Sequence, residues 1–347
     1  MPTPSVWGVI LAGGGGTRFW PLSTPSTPKQ FLPLATGQPL LRDAVERLLP
    51  IIPIERLLIL TSAALRERVQ ALLPELPAAN VLTEPQPAGT AAALTFAARE
   101  IAARDAEATM VSVHADWAVR DPARFRASVL AAVAAARATG ALATVGIVAA
   151  RPDPGLGYIV PGATEHAPAR RVLRFEEKPE RERAAALIAQ GALWNSGIFV
   201  WDVRRFLDLV ARITPELATA LTTAVGDAPA FFAAVQTPIS IDVGVMERAP
   251  HVVVVPGDFG WDDVGTWASL RRVRPLDAAG NALHGDVSAI ASAGNVVHAA
   301  YGSVVLYGVD DLVVVQTDGV TLVTTAERSL ELKTMLSSLR PALRDLP

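Results

Sequence analysis

Four consecutive glycines, Gly13 to Gly16, follow the apolar run Val6–Ala12 and lead into Thr17-Arg18-Phe19-Trp20-Pro21-Leu22. Lacking a Cβ, glycine lets the backbone approach a ligand closely and turn its N–H groups toward an anion. Arg18, and Lys29 within Pro28-Lys29-Gln30-Phe31, bring two cations to the same stretch. Arginine forks onto phosphate oxygens and lysine acts as a point charge, so phosphate binding is the chemistry these residues suit. A glycine run by itself is as readily a plain turn. The residues after it narrow the choice. A P-loop closes with Gly-Lys-Ser/Thr, where this chain has Gly16-Thr17-Arg18. A dinucleotide fingerprint needs a third spaced glycine and an acid about 20 residues on, where this chain has Gln38-Pro39. The loop therefore holds phosphates in another way, which argues against a nicotinamide dehydrogenase.

Composition removes other chemistries. Among 347 residues there is no cysteine, which excludes disulfide frameworks, thiolate metal sites, iron–sulfur clusters and a cysteine nucleophile. Lys and Arg total 31 against 34 Asp and Glu, for a net charge of −3. A protein that neutralises a nucleic-acid backbone shows a basic excess, so no nucleic acid is expected as a partner. Half the residues are hydrophobic and 19% are charged, the makeup of a folded chain of two domains or of one core with an appendage. The mean hydropathy is positive, and Val287 to Val309 contains no Asp, Glu, Lys or Arg. Ser288, Ser292, Gly294-Asn295 and Gly302-Ser303 break that stretch as turns do, so buried strands are expected there rather than a membrane span. Val6–Ala12 is too short for a signal-peptide core and no basic leader precedes it, which predicts a soluble, cytoplasmic protein with no membrane partner.

The elements that must carry the loop follow an alternating pattern. Val6–Ala12, Leu57–Thr61, Val81–Thr83, Met110–His114 and Leu142–Val148 read as strands. Leu40–Leu49, Ala63–Leu73, Ala91–Ala103 and Pro122–Ala138 read as helices between them. Such alternation predicts a mostly parallel sheet flanked by helices, with ligands beyond the carboxyl ends of its strands. From about 151 to 272, strands at Arg171–Glu177, Ile198–Trp201 and Val252–Pro256 mix with helices at Arg181–Ala189 and Thr266–Arg272. After Pro275, short β-rich runs separated by Gly280-Asn281, Gly294-Asn295, Gly308 and Asp318-Gly319 end in a helical stretch near Ser329–Leu339. The expected division is a core over 1–275, with a nucleotide half to about 150 and a sugar-phosphate half beyond it, and a β module with a terminal helix over 276–347.

Gly-Gly-x-Gly-Thr-Arg-x-Trp-Pro-Leu followed by Pro-Lys-Gln-Phe resembles the signature of the sugar-nucleotide pyrophosphorylases, and in its Trp-Pro-Leu and Lys-Gln-Phe details that of the mannose-1-phosphate guanylyltransferases. The resemblance continues through Thr83-Glu84-Pro85 with Thr90, Phe175-Glu176-Glu177-Lys178-Pro179, Trp194-Asn195-Ser196-Gly197-Ile198-Phe199, Ser240-Ile241-Asp242 with Val245-Met246-Glu247, and Trp261-Asp262-Asp263-Val264-Gly265-Thr266-Trp267. It implies an α/β, Rossmann-like nucleotidyltransferase core with a mostly parallel mixed sheet and a β-helix-like C-terminal module. It also implies an enzyme that joins mannose 1-phosphate to the α-phosphate of GTP and releases pyrophosphate. The attacking phosphate, with its second pKa near 6, is already ionised, so the task is to bring two polyanions together in line.

By the resemblance, Arg18, Lys29 and Lys178 act on phosphates. Leu11, Ala12, Gly13, Gly14, Gly16, Thr17, Glu84, Pro85 and Thr90 bind the nucleotide. Gly157, Glu177, Asn195 and Asp242 bind the sugar. Asp116 and Asp263 hold Mg²⁺, which takes one or two carboxylates plus substrate oxygens. Turn and cap roles are the plain alternatives for both aspartates, and Asp262 is the competitor to Asp263. Glu177 and Lys178 lie in a charge run that a solvated surface would also explain. Two departures stand out. The usual Pro-Ala-Asp-His is His114-Ala115-Asp116-Trp117, and the usual Arg-Asn-Thr is Ala88-Gly89-Thr90; His114 is expected to be a packed or hydrogen-bonded strand-end residue rather than a ligand. A homodimer is expected through the β module. Another hexose or heptose 1-phosphate, another nucleotide, or a non-catalytic nucleotide-sugar sensor or assembly subunit remain as alternatives.

Overall fold

The computed structural model describes residues 5–14, 17–24 and 26–344, without the side chains of Thr17, Lys333 and Arg344. The chain divides into two compact units, each drawn from separated segments. The first comprises Met1–Gly13, Ala44–His114 and Asp121–Phe259; the second comprises Gly14–Asp43, Ala115–Arg120 and Gly260–Pro347. In chain order the elements are β1 (Val6–Leu11), α1 (Leu40–Leu48), β2 (Leu57–Ser62), α2 (Arg66–Leu72), β3 (Val81–Glu84), α3 (Gly89–Arg104), β4 (Thr109–His114), β5 (Ala118–Val119), α4 (Pro122–Thr139) and β6 (Leu142–Val148). There follow β7 (Tyr158–His166), β8 (Ala169–Glu176), α5 (Arg181–Ala189), β9 (Leu193–Asp202), α6 (Val203–Ile213), β10 (Val252–Gly257), β11 (Trp261–Asp262), β12 (Ala282–Ile290), β13 (Val296–Tyr307), β14 (Leu312–Gln316) and β15 (Thr321–Thr325).

The first unit is built on a nine-stranded sheet in the order β3-β2-β1-β4-β9-β6-β10-β8-β7. Strands β3, β2, β1 and β4 are parallel, as are β6 and β10, while β9 joins the two groups antiparallel to both β4 and β6. The central runs, such as Val9-Ile10-Leu11 and Val253-Val254-Val255, are buried throughout, as strands covered on both faces must be. Alanines 91–93, 97 and 98 give α3 a buried surface of small side chains. Phe206, Leu209 and Val210 anchor α6, with Phe206 stacked on Trp201 at 4.1 Å and 4°. Local signals set the helix ends. The Asp121 carboxylate accepts from the N–H groups of Ala123 and Arg124 at the start of α4, Pro122 follows it, and Gly140 ends the helix at φ 68°.

The second unit holds the pair β5–β11 and a four-stranded sheet in the order β12-β13-β14-β15, parallel except for β15. Phe19, Leu34, Val264, Trp267, Val296 and Val313 share one buried cluster there. The charge-free stretch 287–309 is strand, as expected, but it is not wholly buried. Val297 and Leu306 turn inward, whereas Tyr301, Val305 and Tyr307 are exposed. The first four residues of β13, Val296 to Ala299, are all buried, whereas most of its second half is open to solvent. No described helix is long and apolar enough to cross a membrane.

Candidate active site

In the second unit, Lys29, Gln30 and Phe31 form one buried 3₁₀ turn after Pro28. The Lys29 ammonium donates to the Asp116 carboxylate at 3.2 Å and to the Asp263 main-chain carbonyl at 2.7 Å. One cation thus ties together two acid-bearing segments that are far apart in sequence. The neighbours of those acids hold the segments too. Ala118 pairs with Asp262 in the β5–β11 ladder, and the Trp117 and Trp261 rings pack at 6.4 Å. The indole that replaces the family's imidazole is therefore core, only 3% exposed. Arg18 belongs to the same neighbourhood. A Cβ on Gly265 would lie 2.6 Å from the Asp263 carboxylate and 3.7 Å from the Arg18 guanidinium. The segment carrying Arg18 is fixed by Phe19 edge-on to Trp267 at 5.1 Å and by the Trp267 indole N–H donating to the Trp20 carbonyl at 3.0 Å.

The two adjacent aspartates differ. Asp262 is buried, paired bidentately with Arg272, and accepts from the Val264 N–H at 2.9 Å. That bond steadies a β-branched residue held at φ 45°. Asp263 is about a third exposed, and the helical turn after it is capped by Thr266 instead. Among the described residues no group of three or more His, Asp or Glu gathers to hold a metal by itself. Any ion at Asp116 and Asp263 would have to complete its shell with substrate or water oxygens.

In the first unit, Gly157, Glu177, Lys178, Asn195 and Asp242 come together from β9 and three loops. A Cβ on Gly157 would stand 2.6 Å from a Glu177 carboxylate oxygen and 3.4 Å from the Asn195 Cβ, so a side chain there would have to displace the Glu177 carboxylate. Asn195 takes its N–H to the Gly157 carbonyl at 2.8 Å and donates its amide to Asp242 at 2.6 Å. Lys178 donates to Glu177 at 2.6 Å and sits at φ 45°, an uncommon conformation for a side-chain-bearing residue. Burial raises the Asp242 carboxyl above its ordinary range. The Asn195 amide opposes that rise, Glu177 adds to it, and His114 opposes it. Asp242 opens a π-helical turn that ends at Met246.

The Thr90 hydroxyl accepts the Ile241 N–H at 2.8 Å, and the Ala91 N–H donates to the Ile239 carbonyl. The start of α3 is thereby tied to the segment that carries Asp242. Gly89, at φ 83°, is required there because a Cβ would collide with the Ile239 carbonyl at 2.3 Å. That contact explains the glycine in Ala88-Gly89-Thr90. Glu84 ends β3, where burial lifts its carboxyl to about 7 against a hydrogen bond with the Ala88 backbone; Pro85 follows it. The Ala12 carbonyl accepts the Thr61 hydroxyl at 3.0 Å, and Leu11 lies beside His114 in the parallel ladder. Gly13 and Gly14 are exposed with nothing within 4 Å of an added Cβ, and only Gly14, at φ 110°, needs glycine for its backbone. Gly16 and the Thr17 side chain lie outside the described residues.

Sequence reasoning passed over the Asp262–Arg272 pair, for which the residues gave no signal.

Comparison with known proteins extends the geometry. Residues 7–280 match the nucleotidyl transferase family. Xanthan biosynthesis protein XanB of Xanthomonas campestris pv. campestris (strain B100) is 37% identical, over 97% of this chain and 73% of its own. Mannose-1-phosphate guanylyltransferase of Escherichia coli (strain K12) is 34% identical, over 98% of this chain and 74% of its own. The crystal structure of mannose-1-phosphate geranyltransferase from Thermus thermophilus matches with a TM-score of 0.87 at 33% identity, over 96% of this chain and 99% of that one. The chain belongs to the nucleotidyl transferase family, as an enzyme of the mannose-1-phosphate guanylyltransferase type.

Proposed function

We propose that the protein joins mannose 1-phosphate to GTP, giving GDP-mannose and pyrophosphate. A sugar-phosphate oxygen attacks the α-phosphorus in line, forming a new P–O bond as the bond to the β-phosphate oxygen breaks and pyrophosphate leaves. The observation that carries this reading is the Lys29 ammonium, held at once by the Asp116 carboxylate and the Asp263 carbonyl with Arg18 close by. Two half-exposed carboxylates and two cations gathered in this way suit a bound polyphosphate with its divalent ion.

Asp116 and Asp263 offer hard oxygen donors of the kind Mg²⁺ takes, and the ammonium already seated between their segments marks the place as one for a cation. The ion would supply charge neutralisation at the α-phosphate. Arg18 forks onto the transferring phosphate and stabilises the charge that develops there. Lys29 holds the Asp116 and Asp263 segments in register. Lys178 meets the sugar phosphate, while Glu177, Asn195, Asp242 and the open backbone at Gly157 receive the sugar hydroxyls. Guanine presents N–H donors, and Glu84 or main-chain carbonyls near Leu11–Gly13 or Pro85 accept from them. Leu11, Ala12, Gly13, Gly14, Gly16, Thr17 and Thr90 bind the nucleotide. The exposed Ile290, Tyr301, Val305 and Tyr307 of the β module support a homodimer; a monomer in sedimentation would overturn that part.

The test is pyrophosphate release from four nucleoside triphosphates against a panel of sugar 1-phosphates, with and without Mg²⁺. GTP with mannose 1-phosphate and Mg²⁺ should give the highest kcat/KM, and chelation should abolish it. Preference for another pair would reassign the substrates; no release with any pair would overturn the reaction.

A further inference from the structure

His114 ends β4, two residues before Asp116, and is half-buried. Its ring does not pack into the core. The Cδ2–Nε2 edge lies against Gly197, where an added Cβ would meet those two atoms at 2.9 and 3.0 Å. Gly197, at φ 73°, is a position that favours glycine, and its N–H donates to the Asn195 side-chain amide oxygen at 3.2 Å. Asn195 in turn holds Asp242, and His114 lies near enough to Asp242 to influence that carboxyl. The imidazole therefore borders the same group as Asn195, Asp242 and Glu177. Among the described residues neither of its ring nitrogens has a hydrogen-bond partner. The ring nitrogens are open to solvent rather than sealed in the core, so a ligand hydroxyl can reach them.

We propose that His114 is a specificity-determining contact to a sugar hydroxyl, with Gly197 as the space that admits its ring. This inference rests on the sugar 1-phosphate reading above. A neutral imidazole has one donor and one acceptor nitrogen, and a hydroxyl can answer either. Asn195 and Asp242, assigned above to the sugar hydroxyls, border the ring, so a hydroxyl is what it meets. His114 thereby adds a side-chain contact at a position where the family pattern has proline, which offers no polar group.

The test combines variants with deoxy sugars. His114→Ala should raise KM for the sugar 1-phosphate about five- to tenfold, the scale of one lost hydrogen bond, and leave KM for the nucleotide within about twofold. Among the monodeoxy sugar 1-phosphates, one should be equally poor for the variant and the natural enzyme, which identifies the hydroxyl that His114 meets. His114→Asn should restore part of the loss, and thermal melting checks that each variant folds. Equal effects on both KM values, or the same penalty on every deoxy sugar, would overturn the proposal. If no sugar 1-phosphate turns over, the reaction reading fails separately. The imidazole is then followed by NMR, with its signals assigned by their loss in His114→Ala. A shift on adding mannose 1-phosphate, but not on adding GTP, upholds the contact; no shift refutes it.

Discussion

The second unit keeps its acids beside cations: Asp116 with Lys29, Asp262 with Arg272, and Asp263 with Arg18 nearby. The first unit pairs acids with cations too, Glu177 with Lys178 and Glu176 with Arg183, but it also holds three carboxyls of another kind. Glu84, Asp242 and Glu247 are each lifted by burial, and Asp242 and Glu177 raise Glu247 further. A carboxylate beside a cation keeps its charge readily, whereas one sunk among amides and other acids holds its charge at a cost. The first arrangement suits a ligand that carries its own charges, a polyphosphate with its metal. The second suits neutral ligands rich in donors, sugar hydroxyls and base N–H groups, which repay the buried carboxylates with hydrogen bonds. The difference separates charge chemistry from recognition.

The same isosteric change should therefore act very differently in the two regions. Asp263→Asn removes a charge the chemistry needs, and turnover should fall about 10³-fold, the scale of several kcal/mol of lost charge stabilisation. Its melting temperature should stay close to that of the natural protein, because Asp263 is partly exposed and Asp262 carries the local structure. Steady-state rates with GTP and mannose 1-phosphate measure the first, calorimetry the second; full activity would remove Asp263 from the site. Arg18→Ala comes next, with a loss of about 10²-fold in kcat, as when one transition-state donor is deleted. A purely structural Arg18 would instead lower stability and leave kcat alone. At Asp242 the charge is already disfavoured, and asparagine can still accept from Asn195. Asp242→Asn should thus cost no more than about tenfold, felt in KM for the sugar. A loss there as large as at Asp263 would erase the distinction between the two regions.

Much of this arrangement was legible in the residues themselves. The strands of the parallel group and the helices α3, α4 and α5 fell where aliphatic runs, alanine-rich periodicity, Asp121-Pro122 and Gly140 indicated. These are local signals, and local sequence carries them. Strand β7 was less visible because Pro161 and Gly162 interrupt it and its outer half is exposed. A linear division near 275 cannot express that residues 14–43 and 115–120 pack with 260–347, since only long-range pairing such as β5–β11 brings them there. Residue types singled out Arg18, Lys29, Asp116 and Asp263, and the structure brings these four into one unit. That Lys29 would spend its ammonium on Asp116 and on a main-chain carbonyl had no trace in the sequence, because a backbone acceptor leaves no side-chain mark. The resemblance preferred Asp263 to Asp262, but the residues alone gave no sign of Arg272, which reaches from the helical turn that follows to pair with Asp262.

Glu84 gives the smallest effect and the sharpest test of the recognition side. Its carboxyl stands at about 7 in the folded protein against an ordinary 4.5, because burial disfavours the charge. Folding therefore favours the protonated form. Glu84 contributes fully to stability below about pH 4.5, and that contribution is lost as the pH rises through about 7. Base binding should run the other way. Guanine N–H groups need an ionised acceptor, so affinity should rise over the range in which the free protein loses stability. Guanosine, which has no phosphate to titrate, isolates the effect. Its inhibition constant should fall about fourfold between pH 6.5 and 8, as the carboxyl sheds its proton. Glu84→Gln should bind guanosine more weakly, show no such slope, and melt at a temperature less sensitive to pH over the same interval. A guanosine constant that stayed flat in the natural protein would mean that Glu84 does not read the base. The buried acids of the first unit would then serve the sugar alone.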